Sequence, residues 1–219
     1  MSNPELQKRF DELCRQPSDI WEHLATLKKL STQCYHVTEL GTRGKISTLA
    51  LLSGLSENSY KKKKLISYDI VNLDTSDVMK FAQDNHCEFV FFQANDLEIN
   101  IEPTELLFVD TLHTYSQLIQ ELTLHASKVL KLIVIHDVDK FGRGDEDVRL
   151  SEPINGLGLM GAIEEFIGQN TEWVISSLYS NNNGLCILER VKDDVIIIDA
   201  YANTDTKEKL LIACIKQLN

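Results

Sequence analysis

Nowhere does the sequence run for eighteen uninterrupted apolar residues, so it offers no segment long enough to cross a bilayer as a helix. The opening MSNPELQKRFDELCRQ lacks the basic-then-apolar order of a secretory signal, and the expectation is a cytoplasmic protein with no membrane partner. Cys14, Cys34, Cys87, Cys186 and Cys214 are odd in number, scattered and never in a CxxC pair, which suggests neither a disulfide framework nor a zinc knuckle. Positive charge is also scarce. The 22 Lys and Arg stand against 33 Asp and Glu, and a net charge of -11 repels a phosphate backbone, arguing against nucleic acid as a partner. The one basic run, Lys61 to Lys64, has no interleaved aromatics and reads as a solvated loop. Internal repeats and low-complexity tracts are absent.

What is present suffices for one full core, with 43% hydrophobic residues in 219. Residues 1–34 read as two helices, Pro4 to Arg15 and another after Ser18 with Ile20, Leu24, Leu27 and Leu30 on one face, forming a lid or side layer. From His36 the pattern changes to short apolar runs alternating with amphipathic stretches, the signature of a mostly parallel sheet. Strands are expected at His36 to Leu40, Leu65 to Asp69, Glu88 to Gln93, Leu106 to Asp110 and Leu132 to His136. Crossover helices are expected at Ile46 to Leu52, Ser76 to Asn85 and Thr114 to Val129. A helix over Leu159 to Gln169 precedes a hairpin, Glu172 to Tyr179 and Leu185 to Arg190, turning at SNNNG. A strand at Val195 to Asp199 and a helix near Lys207 to Leu218 complete the reading, with 191–219 as an extension of a main domain spanning 35–219.

The turn in HVTELGTRGKISTLALL, His36 to Leu52, decides the ligand class. A phosphate-binding GxxxxGK[ST] loop fails twice, because Glu39 stands five before Gly44 and Ile46 follows Lys45. A dinucleotide GxGxxG fails at Arg43, where backbone has to approach a pyrophosphate. What remains is Glu-x-Gly-x-x-x-Gly-x-x-Ser. Its backbone N–H groups and Ser47 suit the carboxylate of a zwitterionic amino acid at a helix N-terminus, while acidic groups suit its ammonium. Asp69 ends the second strand, where a carboxylate can accept ribose hydroxyls, and Asn95 and Asp96 follow the third, beside an adenine edge. Together these strand ends point to an adenosyl ligand.

With ELGTRGKIST, ISYDI, LLFVDTLHTYSQLIQEL, LIVIHD and GLMGAIEEFIGQNTEWVISSLYSNNNGLCILER, the chain resembles the class I S-adenosylmethionine-dependent methyltransferases. More narrowly it is similar to methyltransferase family 24, the branch near the cephalosporin-hydroxylase-like proteins and the sugar O-methyltransferases. The resemblance spans about Val37 to Arg190. It implies a Rossmann-like α/β fold with seven strands in the order 3-2-1-4-5-7-6, strand 7 antiparallel, helices on both faces and an N-terminal helical segment. It implies that Gly41 and Gly44 border the methionine part of S-adenosyl-L-methionine, with Glu39 and Ser47 assisting and Thr42, Arg43, Thr111 and His113 in the same shell. Asp69 would bind the ribose, Asn95 and Asp96 would flank adenine, and Asp110 would face the reacting end. Two features depart from the family: Thr111 stands where glycine usually follows the aspartate, and VLKLIVIHD lacks the usual Pro-Gly-Gly turn.

Methyl transfer to oxygen requires the acceptor to be held in line and its proton removed. Asp110, His113, His136 and Asp137 fall at adjacent strand ends, so His113 or His136 is the expected general base. The resemblance makes Asp110 and Asp137, with Asp139 as a third, the expected ligands of Mg2+, an oxygen-rich set favouring magnesium or calcium. Capping and strand-end packing are the competing roles for Asp137 and His136. The long segment DVDKFGRGDEDVRLSEPINGLG is expected to cover substrate; its fifth and twelfth residues, Phe141 and Val148, rule out an EF-hand. The expected partner is a small hydroxylated acceptor such as a sugar, and a homo-oligomer is compatible with this. Two alternatives stand beside it: a non-catalytic cofactor- or partner-binding module, and a metal-dependent oxygenase, for which the His-x-Asp spacing is missing.

Overall fold

The computed structural model describes residues 4–144 and 157–191. Its helices are α1 (Pro4–Leu13), α2 (Leu24–Ser31), α3 (Ile46–Glu57), α4 (Ser76–Asp84), α5 (Tyr115–His125) and α6 (Gly158–Gln169). Its strands are β1 (His36–Leu40), β2 (Lys64–Asp69), β3 (Glu88–Gln93), β4 (Thr104–Val109), β5 (Val129–His136), β6 (Trp173–Tyr179) and β7 (Leu185–Arg190). The expected strand and helix beyond Arg190 lie outside the described residues, as do residues 145–156 of the long segment expected to cover substrate.

All seven strands form one sheet in the order β3-β2-β1-β4-β5-β7-β6. The first five are parallel, and β7 runs antiparallel between β5 and β6. Central strands covered on both faces read as unbroken apolar runs. Every residue of β1 and β4 is buried accordingly, whereas the edge strand β3 alternates with solvent. The side-chain period of two sends Leu106 and Phe108 to one face and Leu107 and Val109 to the other.

On the first face, Leu6, Phe10, Leu24 and Leu27 of the N-terminal helices share a core with Leu51, Leu52 and Leu55 of α3. Between the sheet and α1 and α2, α3 is buried from Ser47 through Ser56, which explains its apolar residues on every side. On the second face, Leu118 and Leu122 of α5 and Ile163 and Phe166 of α6 pack on Ile133 and Ile135 of β5. The helix expected over Ile46 to Leu52 continues to Glu57, through Ser53, Gly54 and Ser56. In the fold these small residues let the helix lie against its neighbours, and tertiary packing overrides their low propensity. No helix among the described residues is long and apolar enough to cross a membrane.

Candidate active site

The carboxyl ends of β1, β4 and β5 meet at one place. β1 ends at Leu40, and Gly41 follows with φ +87, a conformation that favours glycine. A Cβ there would lie 1.9 Å from the carbonyl oxygen of Asp110, so only glycine lets the two loops touch. At Gly44 a Cβ would meet nothing closer than the Ile46 side chain at 3.7 Å. The turn is tied from three sides. The N–H groups of Thr42 and Arg43 donate to one oxygen of Asp69 at 2.9 and 2.8 Å, and Val71 N–H donates to the other at 2.9 Å. The Arg43 guanidinium pairs with Asp19 of the segment preceding α2.

Beneath the turn, Glu39 is fully buried and accepts hydrogen bonds from the hydroxyls of Ser47 at 2.7 Å, Thr48 at 2.8 Å and Ser67 at 2.6 Å. Burial pushes its carboxyl up to about 7 against the opposing pull of the three hydroxyls.

Beside the turn, Asp110 follows β4 while His136 ends β5 and Asp137 follows it. His113, at the start of the turn into α5, reaches both carboxylates: its Nε2 lies 2.9 Å from Asp137 Oδ2 and 3.3 Å from Asp110 Oδ1. His136 Nδ1 lies 3.4 Å from each of the same two oxygens, and its Nε2 lies 3.2 Å from the carbonyl oxygen of Asn182. Burial alone would lower both imidazoles, but the hydrogen bonds and charges of the two aspartates outweigh it and hold each up to about 10. Burial would likewise raise the aspartates, and the two imidazoles instead pull both below the usual carboxylate range. Both ring nitrogens of His136 thus face acceptors. Asp137 adopts φ +63, uncommon for a residue with a side chain, and its Oδ1 is buried with no hydrogen-bond partner. Asp110, His113 and Asp137 each present one ligand atom within 4.8 Å of the others.

No family model matches the chain, and no curated protein matches it. Solved structures do. The O-methyltransferase TomG of Streptomyces achromogenes, crystallised with S-adenosylmethionine, is 15% identical over 88% of this chain and 92% of its own, with a TM-score of 0.57. A Bacillus cereus O-methyltransferase in complex with S-adenosylhomocysteine is 14% identical over 88% of this chain and 92% of its own, with a TM-score of 0.55. The MycE methyltransferase of the mycinamycin pathway, crystallised with Mg and S-adenosylhomocysteine, is 15% identical, with a TM-score of 0.55; the match covers 87% of this chain and 55% of MycE. The fold is the Rossmann-like methyltransferase fold.

Within this methyltransferase fold, the residues named from the sequence and several of their neighbours divide into groups. Gly41, Thr42, Arg43, Asp69, Asp110, His113, His136 and Asp137 come together around the turn and the ends of β4 and β5. Glu39 and Ser47 bond to each other below the turn. Asn95 caps the short turn 96–98, accepting from Leu97 N–H at 3.1 Å, and Asp96 accepts from Gln117 Nε2 at 3.2 Å. Asp139 is not part of the three-residue ligand group; its N–H donates to Asn183 O at 2.9 Å, in the hairpin turn. Arg143 is engaged by Glu164 at 2.7 Å. Tyr115 donates its hydroxyl to Glu165 of α6, and buried His125 lies 2.9 Å from Asp96 O.

Four further residues had no site role in the sequence reading. Glu121 is fully buried on α5, accepts the Thr111 hydroxyl and Gln117 Nε2, and lines a small pocket with Asp110, His113, His136 and Leu159. His23 packs edge-on to His136 at 5.8 Å, with Nε2 2.9 Å from Asn181 O. Phe141 stacks on His113, with centroids 4.9 Å apart. Asn182 clasps the N-terminal segment, accepting from Glu22 N–H at 3.0 Å and donating to Ser18 O at 2.9 Å. Glu121 shares one stripe of α5 with Leu118, Leu122 and His125, a helical spacing that marks its burial and that the sequence reading passed over. The others come from distant segments that only the folded sheet brings together.

Proposed function

We propose that the chain is an S-adenosyl-L-methionine-dependent methyltransferase of the family 24 branch that methylates an oxygen of a small hydroxylated molecule such as a sugar, assisted by a divalent cation. The observation that carries this reading is the closure of the Gly41 turn onto Asp110 beside the Asp110, His113, His136 and Asp137 cluster. The fold puts these at the carboxyl ends of the strands, where open α/β sheets place their ligands. Neighbours of the same fold crystallised with S-adenosylmethionine or S-adenosylhomocysteine support the choice of cofactor, and MycE with Mg supports the cation.

The sulfonium cofactor supplies an electrophilic methyl group. In this reading Gly41, Thr42 and Arg43 border its amino-acid end, with Glu39 and Ser47 holding the turn from below, and Asn95 and Asp96 flank its adenine. An ionised carboxylate offers about four acceptor sites; Asp69 uses three on Thr42, Arg43 and Val71, leaving one for a ribose hydroxyl. Asp110 and Asp137 would hold a divalent cation, whose charge would orient an acceptor hydroxyl and lower its pKa. The donor set fits such an ion, because the buried Asp137 Oδ1 lacks a partner. In this reading His136 holds both aspartates in place, and His113 faces the same two carboxylates from the start of the turn into α5.

A second reading, a non-catalytic cofactor- or partner-binding module, is favoured by the same Asp69 bonds and by the Arg43–Asp19 pair, which together occupy the turn's donors. Calorimetry with S-adenosylmethionine and S-adenosylhomocysteine, followed by turnover on a panel of hydroxylated acceptors, separates the two. Binding with methyl transfer supports the enzyme; binding without transfer supports the module; folded protein that binds neither compound eliminates both cofactor readings.

A further inference from the structure

We infer that His113 is a direct ligand in a mixed nitrogen and oxygen cation site with Asp110 and Asp137, so that the site takes a divalent first-row transition ion such as manganese or cobalt in preference to magnesium. This deepens the cation part of the proposed function and rests on it.

The geometry comes first. Neighbouring ligand atoms about 2.1 Å from one octahedral ion sit about 3 Å apart. The separations of 2.9 Å from His113 Nε2 to Asp137 Oδ2 and 3.3 Å to Asp110 Oδ1 match that spacing. One nitrogen facing two carboxylate oxygens serves the protonated imidazole as a shared hydrogen bond and the deprotonated imidazole as one of three donors around an ion. The buried, unpartnered Oδ1 of Asp137 adds a second observation pointing to a missing positive ligand. Phe141 stacked on the imidazole within 2° of parallel fixes the ring plane, the kind of outer support that orients a metal-binding histidine.

Chemistry then selects the ion. Magnesium is hard, dehydrates reluctantly and prefers oxygen and water, whereas imidazole favours the transition ions. Asp139, which would have completed an all-oxygen set, is not in the ligand group. His136 is outside the ligand group, its Nδ1 standing farther off, at 3.4 Å from each of the two oxygens, and its Nε2 facing Asn182 O.

Chelator-treated full-length protein titrated separately with Mn2+ and Mg2+ tests this, with S-adenosylhomocysteine binding measured on the same preparation. The expected result is one Mn2+ per chain, bound roughly tenfold or more tighter than Mg2+, with nitrogen modulation in its pulsed electron paramagnetic resonance. In His113→Asp the nitrogen signal disappears and the preference shifts toward Mg2+. Absence of a stoichiometric site, a wild-type Mn2+ signal without nitrogen coupling, or equal affinity for Mg2+ overturns the inference, and each is read on the wild-type chain whether or not the variant folds. Nitrogen-coupled Mn2+ without S-adenosylhomocysteine binding upholds the site while removing the methyltransferase reading; the reverse pattern removes only the site.

Discussion

Gly41 and Asp110 touch backbone to backbone: a Cβ on the first would overlap the carbonyl oxygen of the second at 1.9 Å. Gly41→Ala therefore forces apart the loops after β1 and β4, besides placing a side chain at φ +87, a strain of about 1–3 kcal/mol. The expected outcome is a lower melting temperature and S-adenosylhomocysteine affinity reduced at least about tenfold, the equivalent of 1.4 kcal/mol. Gly44→Ala is the control, since its Cβ would make ordinary contacts at 3.7 Å and beyond. Equal calorimetric affinities for the two variants contradict this account of the turn.

The cation-free protein has a specific pH profile. His113 and His136 rise from an ordinary 6.5 to about 10, so their contribution to stability is fully present below pH 6.5 and lost as pH climbs through about 10. Asp110 and Asp137 are depressed from 3.8, so theirs is present above that value and fades as pH falls through their lower folded values. These are two views of the same ion pairs and are not added. Chemical denaturation of chelator-treated protein is expected to give greatest stability between about pH 4 and 6.5, with an alkaline decline blunted in a His136→Gln variant. An alkaline limb of the same slope in both proteins excludes this histidine as its source.

The first five strands were legible as short, largely apolar runs alternating with amphipathic stretches, the Asn183-Gly184 signal marked the hairpin, and the strand order came from the family resemblance alone. Asn182 and Asn183 do adopt left-handed conformations there, with φ of 46 and 69. Ends were less legible: β5 begins at Val129 rather than Leu132, since Lys131 lies exposed within a strand whose other end is deeply buried. At the site, Gly41, Asp110, His113, His136 and Asp137 could be named because each stands at a strand end. What could not be read was pairing. That Asp69 holds the N–H groups of the turn, or that His23 meets His136, depends on segments brought together only by the sheet.

Thr111 occupies the position where the resembling family has glycine, and its hydroxyl is spent on Glu121. Burial, followed by nearby Asp96, drives the Glu121 carboxyl far above its ordinary value, favouring the neutral acid. Glutamine is close in shape to that acid, so Glu121→Gln is expected to cost less than about 1 kcal/mol, whereas Thr111→Ala costs about 0.5–1.5 kcal/mol by removing one of the two donors to a buried oxygen and leaving it Gln117 Nε2 alone. Urea denaturation of the two single variants and the double variant should show coupling of about 0.5–3 kcal/mol. Strict additivity means that Thr111 is tolerated for some reason other than this bond.

Asp69 carries two assignments that one substitution separates. Its carboxylate accepts three backbone N–H groups, from Thr42, Arg43 and Val71, and the amide of Asp69→Asn retains only one accepting oxygen. If holding the turn dominates, Asp69→Asn lowers stability by about 1–3 kcal/mol and weakens S-adenosylhomocysteine and its analogue lacking ribose hydroxyls by the same factor. If a ribose hydroxyl takes the remaining acceptor site, the parent compound loses affinity while the deoxygenated analogue does not. Because the turn bonds are three and the spare site is one, the stability loss is expected in either case; the ratio of the two affinities then reports the ribose contact alone. A ratio unchanged from wild type places Asp69 wholly in the architecture of the turn.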